Sequence, residues 1–294
     1  MNLGVFQKEL EETFRRNGFE SPELESAYIV SEITGVPYVE LPLFRNRPLT
    51  PEECGEGRGY LARRLKKEPF QYIFGWTQFR FLDLKIGPGA LIPRPETELL
   101  PELLIRYLPA GARVCELGTG SGAISLALAS ERPDLEVRGS EVSVDAFRWS
   151  ERNLAALALP NVRFFRGSLF EPFGDEKFDA VVANLPYISP AERDFLPENV
   201  RDYEPPEALF AGDGGFALIE RALLEAPAHL RERSALFFEI GEAQGERALS
   251  CALRTGFFTK AEVLPDQYGV PRFLAAYREA QASRVLTEIR SSGQ

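Results

Sequence analysis

The run Glu116-Leu117-Gly118-Thr119-Gly120-Ser121-Gly122 joins an apolar segment, ARVCELG, to a helix-period one, SGAISLALASE. A glycine turn between a strand and a helix is a ligand cradle. Gly118 and Gly120 let the backbone turn tightly and approach a ligand, and Gly122 lets the helix start pack closely. The helix N-terminus presents free N–H groups, which also places Thr119 and Ser121 beside any ligand. The spacing is GxGxG rather than the GxGxxG of a dinucleotide turn, and an acid, Glu116, closes the strand. A second acid, Glu141, closes the next strand about 20 residues past the loop, the offset at which a carboxylate receives ribose hydroxyls. Carboxylates suit a cation better than a pyrophosphate. A ribose-bearing sulfonium, S-adenosylmethionine, fits these charges; on this motif alone a ligand-free turn and a nicotinamide dehydrogenase stay open.

Asn184-Leu185-Pro186-Tyr187 follows the apolar run Phe178 to Ala183. It resembles the [ND]PP[YFW] motif of methyltransferases that act on planar sp² nitrogens. An amide nitrogen is a poor nucleophile, whereas a sulfonium is a strong electrophile, so positioning is the main task. Near-attack alignment can supply roughly 7–11 kcal/mol. Two acceptors, the Asn184 side-chain carbonyl and the Leu185 main-chain carbonyl, can hold both N–H bonds. Tyr187 can stack on the planar group and exclude water. No dedicated base is needed, because the methylated amide releases its proton late. Leu185 stands where the motif has its first proline; the backbone carbonyl survives, and Pro186 still holds residue 185 extended.

The elements that must position these groups alternate after Glu98. LEVRGSEV, NVRFFRGS, FDAVVANLPY and ALFFEIG read as strands; VDAFRWSERNLAALA, FALIERALLEAPAHL and GERALSCALRTGF read as helices. Continuous apolar strands between amphipathic helices predict an α/β fold with a parallel sheet covered on both faces. A closing antiparallel hairpin near AEVLP and RFLAAYR makes the sheet mixed. Residues 1–75 carry helix periods, with Leu3, Phe6, Leu10 and Phe14 on one face and Leu24, Ala27, Tyr28, Val30 and Ile33 on another. Ser21 and Thr50, each before a proline, are N-cap candidates. This is a small all-helical domain. Residues 76–97, an alternating WTQFRFLDLKIG and a proline-framed stretch, read as a β-hairpin linker, with Thr97 as a candidate helix cap. Residues 98–280 form the ligand-binding domain and 281–294 a polar tail.

The chain has 294 residues, 44% hydrophobic and 27% charged, the composition of a soluble globular protein. No apolar run is long enough to span a bilayer, and the charged N-terminus is not a secretory signal, so a cytoplasmic address is expected. Cys54, Cys115 and Cys251 form no CxxC pair, and Cys115 reads as a core residue. The single histidine, His229, reads as a surface or capping residue, which argues against a metal site or a His-based triad. A net charge of -10 favours a protein or small-molecule acceptor over a nucleic-acid backbone.

Pro69-Phe70-Gln71-Tyr72-Ile73-Phe74-Gly75, Leu91-Ile92-Pro93-Arg94-Pro95-Glu96-Thr97-Glu98, the glycine turn and Asn184-Leu185-Pro186-Tyr187 occur in one order. With them the chain resembles the bacterial peptide chain release factor (N5)-glutamine methyltransferases from about residue 60 to 278. The resemblance implies a class I methyltransferase (Rossmann-like) fold. It also implies S-adenosylmethionine-dependent methylation of the glutamine in the Gly-Gly-Gln loop of class I release factors, in translation termination. By position, Gly118 to Gly122, Glu141 and Asn184 contact the cofactor, Asn184 to Tyr187 hold the glutamine, and Leu169, after Ser168, stands at a cofactor-side position that is often aromatic. The helical domain corresponds to the part that docks the release factor. A monomer without metal, membrane or direct nucleic-acid binding is expected. Selectivity for glutamine over glutamate follows, because two fixed acceptors facing a carboxylate lack donors. The alternatives are a glutamine of a ribosomal large-subunit protein and, further off, adenine in nucleic acid.

Overall fold

The computed structural model describes residues 1–278; the polar tail expected over 281–294 lies outside the described residues. Two compact units are present among the described residues, 1–75 with 198–203, and 76–197 with 204–278.

The first unit is built from α1 (Leu3–Arg16), α2 (Pro22–Thr34), α3 (Pro51–Arg64) and α4 (Phe70–Phe74). α1 buries Leu3, Phe6, Leu10 and Phe14, the stripe that a 3.6-residue period demands. On α2, Ala27 and Val30 are buried and Ile33 packs on the core as expected, whereas Leu24 and Tyr28 are exposed and Ser26 and Ile29 point inward. The reason is that small Ser26 allows close approach while its hydroxyl donates to the Glu23 carbonyl, so it is buried without an unpaired group. Thr50 and Glu53 form a reciprocal capping box on α3. Ser21 does stand at the α2 N-cap, but its side chain makes no capping bond, and Pro22 needs none.

The second unit starts with the hairpin β1 (Trp76–Phe79) and β2 (Leu82–Lys85). Phe79 and Leu84 are buried in one core cluster with Leu100 and Leu104 of α5 (Leu99–Tyr107). Then follow β3 (Arg113–Leu117), α6 (Ala123–Glu131), β4 (Glu136–Glu141), α7 (Val144–Leu157), β5 (Val162–Arg166) and β6 (Phe178–Ala183). The next helix in the chain, α8 (Glu198–Arg201), belongs to the first unit; in the second, the short α9 (Pro206–Leu209) precedes α10 (Ala217–Glu225), β7 (Leu230–Glu239), α11 (Gly245–Arg254), β8 (Lys260–Pro265) and β9 (Pro271–Arg278). The main sheet runs β5-β4-β3-β6-β7-β9-β8. β3 to β7 are parallel, and β9 pairs antiparallel with both β7 and β8. This is the mixed sheet with a closing hairpin that the sequence predicts.

Val114 belongs to the core on one face of the sheet and its neighbour Cys115 to the core on the other. Burial on both faces explains why these strands read as unbroken apolar runs. His229 is half-buried at the C-cap of a short 3-10 turn and stacks on Phe170, ring centroids 4.4 Å apart.

Candidate active site

The sheet order brings the predicted residues together. β3 is central, with β4 on one side and β6 on the other, so Leu117 pairs with both Ser140 and Ala183. The glycine turn therefore leaves β3 between Glu141, at the end of β4, and Asn184, just past β6. A crevice at the carboxyl edge, where neighbouring crossovers diverge, is where such sheets bind ligands. The cleft there is lined by residues 118–121, Glu141, Leu169, Asn184, Leu185 and Pro186, together with Thr97.

Gly118 has φ +71°, and a Cβ on it would stand 3.2 Å from Leu185 Cδ2. That close approach links the turn to the Asn184 segment. Gly122 caps α6 at φ +86°, where a Cβ would meet Leu126 Cδ1 at 2.9 Å; it shapes the turn and does not line the cleft. Glu141 is buried. Its Oε2 accepts from the Gly120 N–H and its Oε1 from the Ser143 N–H, both at 2.8 Å. Burial raises its pKa, and these backbone donors oppose the rise. The hydroxyls of Thr119 and Ser140, both at the cleft, are buried without a hydrogen-bond partner. Leu169 lines the cleft in a left-handed conformation, φ +49°.

Glu116 lines the cleft as well, and α6 claims one of its two oxygens. Its Oε2 accepts from the Ser125 N–H at 2.9 Å and from the Ser125 hydroxyl. The cause is the free N–H groups of the helix start, the nearest donors to a carboxylate with no water around it. Burial pushes its carboxyl up to about 8, the Ser125 bonds pull it down, and Glu141 adds to the rise.

On the other side, Asn184 Nδ2 donates to Thr97 Oγ1 at 3.1 Å, and Thr97 donates to Glu239 Oε2 at 2.7 Å. Among the described residues no donor reaches Asn184 Oδ1 or the Leu185 carbonyl. Leu185 is a buried core residue. Tyr187 is not among the lining residues: its hydroxyl turns inward and donates to Glu239 Oε1 at 3.1 Å. Burial, with Glu239 next, pushes that phenol well above its ordinary pKa. The loop is clamped from two sides. Gln244 donates to the Tyr187 carbonyl at 3.0 Å, and a Cβ on Gly215 would fall 2.1 Å from that same oxygen. These contacts supply rigidity where Leu185 replaces a proline.

Thr97, read as a helix cap, is not one. It sits within the 3-10 turn Glu96–Glu98, buried, with its hydroxyl on Glu239. The stretch before it is a wall of the cleft: Glu204 accepts from the Ile92 N–H at 3.2 Å and from Arg94 at 2.7 Å. Sequence reasoning passed over Glu239 and Glu204. An acid closing an apolar strand is the signal that pointed to Glu116 and Glu141, and ALFFEIG carries it at Glu239. Glu204, in a polar insertion, carries no comparable signal.

Sheet order, central glycine turn and polar strand tips define a class I methyltransferase. Solved structures agree on the fold: a methyltransferase from Pyrococcus furiosus (TM-score 0.53, 20% identity, covering 68% of this chain and 90% of that one). The 16S rRNA N2 G1207 methyltransferase of T. thermophilus, a complex with AdoMet and guanosine, also matches (TM-score 0.51, 20% identity, 69% and 50%). Residues 6–75 match the PrmC N-terminal domain family and residues 97–200 the methyltransferase small domain family. The release factor glutamine methyltransferase of Geobacter sulfurreducens is 41% identical over 240 residues, 82% of this chain and 84% of that protein. That of Escherichia coli is 34% identical over 239 residues, 81% and 86%. The chain belongs to the release factor glutamine methyltransferase family. Among the described residues no helix is long and apolar enough to cross a membrane.

Proposed function

We infer that this protein transfers a methyl group from S-adenosylmethionine to the side-chain amide nitrogen of the glutamine in the Gly-Gly-Gln loop of class I peptide chain release factors. The observation that carries the reading is the pair of unpartnered acceptors, Asn184 Oδ1 and the Leu185 carbonyl, beside a cleft that the glycine turn and Glu141 also line.

The residues present fit the cofactor. Two buried hydroxyls, Thr119 and Ser140, lack partners at the cleft, and the Glu141 oxygens each keep lone pairs beyond their backbone bonds. Glu141 would take the ribose hydroxyls; residues 118–121, Leu169 and Asn184 would form the rest of the pocket, with Gly122 shaping the turn. When bound, S-adenosylmethionine supplies an electrophilic methyl carbon. The protein's own work is orientation: Asn184 and Leu185 each accept one N–H of the glutamine amide, which aims its nitrogen. The nitrogen's electrons would form the new N–C bond as the methyl's bond to sulfur breaks and its electron pair stays on the departing thioether, and one N–H proton then leaves to solvent. The monomethyl product has a single N–H, so one acceptor goes unpaired and release is favoured. Tyr187 anchors the loop through Glu239.

The helical unit, with Glu198–Tyr203, is assigned to docking the release factor outside its catalytic loop, in the cytoplasm and as a monomer without nucleic acid. The test is incubation with labelled cofactor and purified release factor or purified ribosomal large-subunit protein. Label on the release-factor glutamine is expected; label only on the ribosomal protein overturns the assignment.

A further inference from the structure

The Asn184 carboxamide can sit in two orientations, related by a half-turn, that differ only in whether oxygen or NH₂ faces the cleft. The two groups are nearly the same size, so packing does not choose between them. Hydrogen bonding must.

We propose that Thr97, locked in place by Glu239, fixes the polarity of the Asn184 carboxamide and thereby makes the site select a carboxamide over a carboxylate. The inference rests on the reading in which Asn184 Oδ1 accepts from the acceptor nitrogen. It adds two positioning residues that the motif itself does not contain.

The argument is one of counting hydrogens. A threonine hydroxyl has a single proton. Thr97 gives it to Glu239 Oε2 at 2.7 Å, so towards Asn184 the hydroxyl can only accept. The atom that meets it at 3.1 Å is Nδ2, and Oδ1 is left for the cleft. A reversed amide would set two acceptors against each other and leave the buried hydroxyl short of a donor. Glu239 makes the arrangement directional. An ionised carboxylate only accepts, and here two hydroxyl donors converge on it, Thr97 on Oε2 and Tyr187 on Oε1. Burial raises the pKa of Glu239, with Glu96 adding to it, while Thr97, Tyr187 and Arg272 hold it down.

The backbone makes this possible. Ala183 pairs with Phe238, so the next residues on the two parallel strands, Asn184 and Glu239, stand side by side at the sheet edge. Thr97 arrives from the 3-10 turn before α5 and inserts its hydroxyl between them, 3% exposed. A buried hydroxyl with both its proton and a lone pair committed to strand-tip side chains does nothing for the local turn. Its effect is on what Asn184 offers.

The test uses Thr97→Val, which keeps the shape and loses the hydroxyl, Thr97→Ser, which keeps the hydroxyl, and Asn184→Ala. Each full-length variant is assayed with S-adenosylmethionine and release factor, and with a competitor release factor whose Gly-Gly-Gln glutamine is replaced by glutamate. In Thr97→Val, kcat is expected to fall at least about tenfold, with cofactor affinity unchanged, and the competitor to bind about tenfold tighter, because Nδ2 can now face its carboxylate. Thr97→Ser is expected to restore both. Wild-type kcat and competition in Thr97→Val, with Asn184→Ala inactive, overturn the role of Thr97 alone. A fall in kcat without tighter competition also overturns it, since loss of structure would not reverse the preference. A fully active Asn184→Ala overturns the underlying reading of the site instead.

Discussion

On the glycine-turn side of the cleft, Glu141 takes its hydrogen bonds from Gly120 and Ser143, backbone groups 21 and 2 residues away. On the opposite side, Asn184 is held by Thr97, 87 residues away, and Thr97 by Glu239, 142 residues away. The first side is complete once one strand, its turn and the next strand have formed. The second exists only when β6, β7 and the segment before α5 have all come together. A cofactor common to many reactions can be met by a local backbone device. In the proposed reading the acceptor, which distinguishes this family, is met by side chains that only the assembled sheet aligns.

The sharpest way to break this contrast is to delete the acceptor. Asn184→Ala removes one of two carbonyls aimed at the amide, and turnover should fall on the order of a hundred- to a thousandfold, by analogy with the loss of one oxyanion-hole donor. The melting temperature should fall only modestly, because Oδ1 has no protein partner and the loss is the single Nδ2 bond to Thr97. Turnover close to wild type would remove Asn184 from the mechanism. A smaller effect is expected across the cleft. Glu141→Ala deletes a charged acceptor and leaves two backbone N–H groups unpaired, so cofactor affinity by calorimetry should weaken roughly ten- to a hundredfold. An unchanged dissociation constant would place the ribose elsewhere.

The same contrast decides what was legible in the sequence. The glycine turn, Glu141 and Asn184 to Tyr187 are contiguous or strand-terminal, so their residue types and spacing announced them. The sheet was legible for the same reason, each strand being an apolar run between helix periods. Thr97 was not. Its threonine precedes a helix and looks like a cap, and the partner that claims its hydroxyl lies 142 residues on. Glu116 was half legible: its position at a strand end is visible, but its turn towards Ser125 depends on the angle at which α6 leaves the loop. On α2, the period was right and Ala27, Val30 and Ile33 do meet the core, but Leu24 and Tyr28 at the edge of that face are exposed while Ser26 and Ile29 are buried.

Removing the second donor to Glu239 should cost stability more than activity. Tyr187→Phe leaves Glu239 Oε1 buried without its donor, and unfolding free energy should drop by about 1–3 kcal/mol in denaturant titration. Asn184 keeps its bond to Thr97, so turnover should fall far less than in Asn184→Ala. Loss of activity as complete as in Asn184→Ala would mean that the tyrosine itself meets the substrate.

The least expected effect at acid pH, and one that grows with pH, concerns Glu116. Its carboxyl titrates near 8 in the folded protein against an ordinary 4.5. Below the lower value both folded and unfolded chains hold the proton, and nothing depends on the group. Between the two values the unfolded chain has released its proton and the folded chain keeps it, so stability falls as pH rises. Above 8 the loss is complete. Glu116→Gln cannot titrate, yet its amide oxygen can still accept from Ser125. The variant's melting temperature, measured from pH 5 to 9, should therefore gain on wild type through that window and then run parallel to it. Glu204 and Glu239, whose pKa values burial also raises, are common to both proteins and cancel in the difference, whereas Glu141, whose charge adds to the Glu116 rise, is part of the effect measured. A constant offset across the whole range would show that Glu116 is already ionised on Ser125, with the helix start holding its charge.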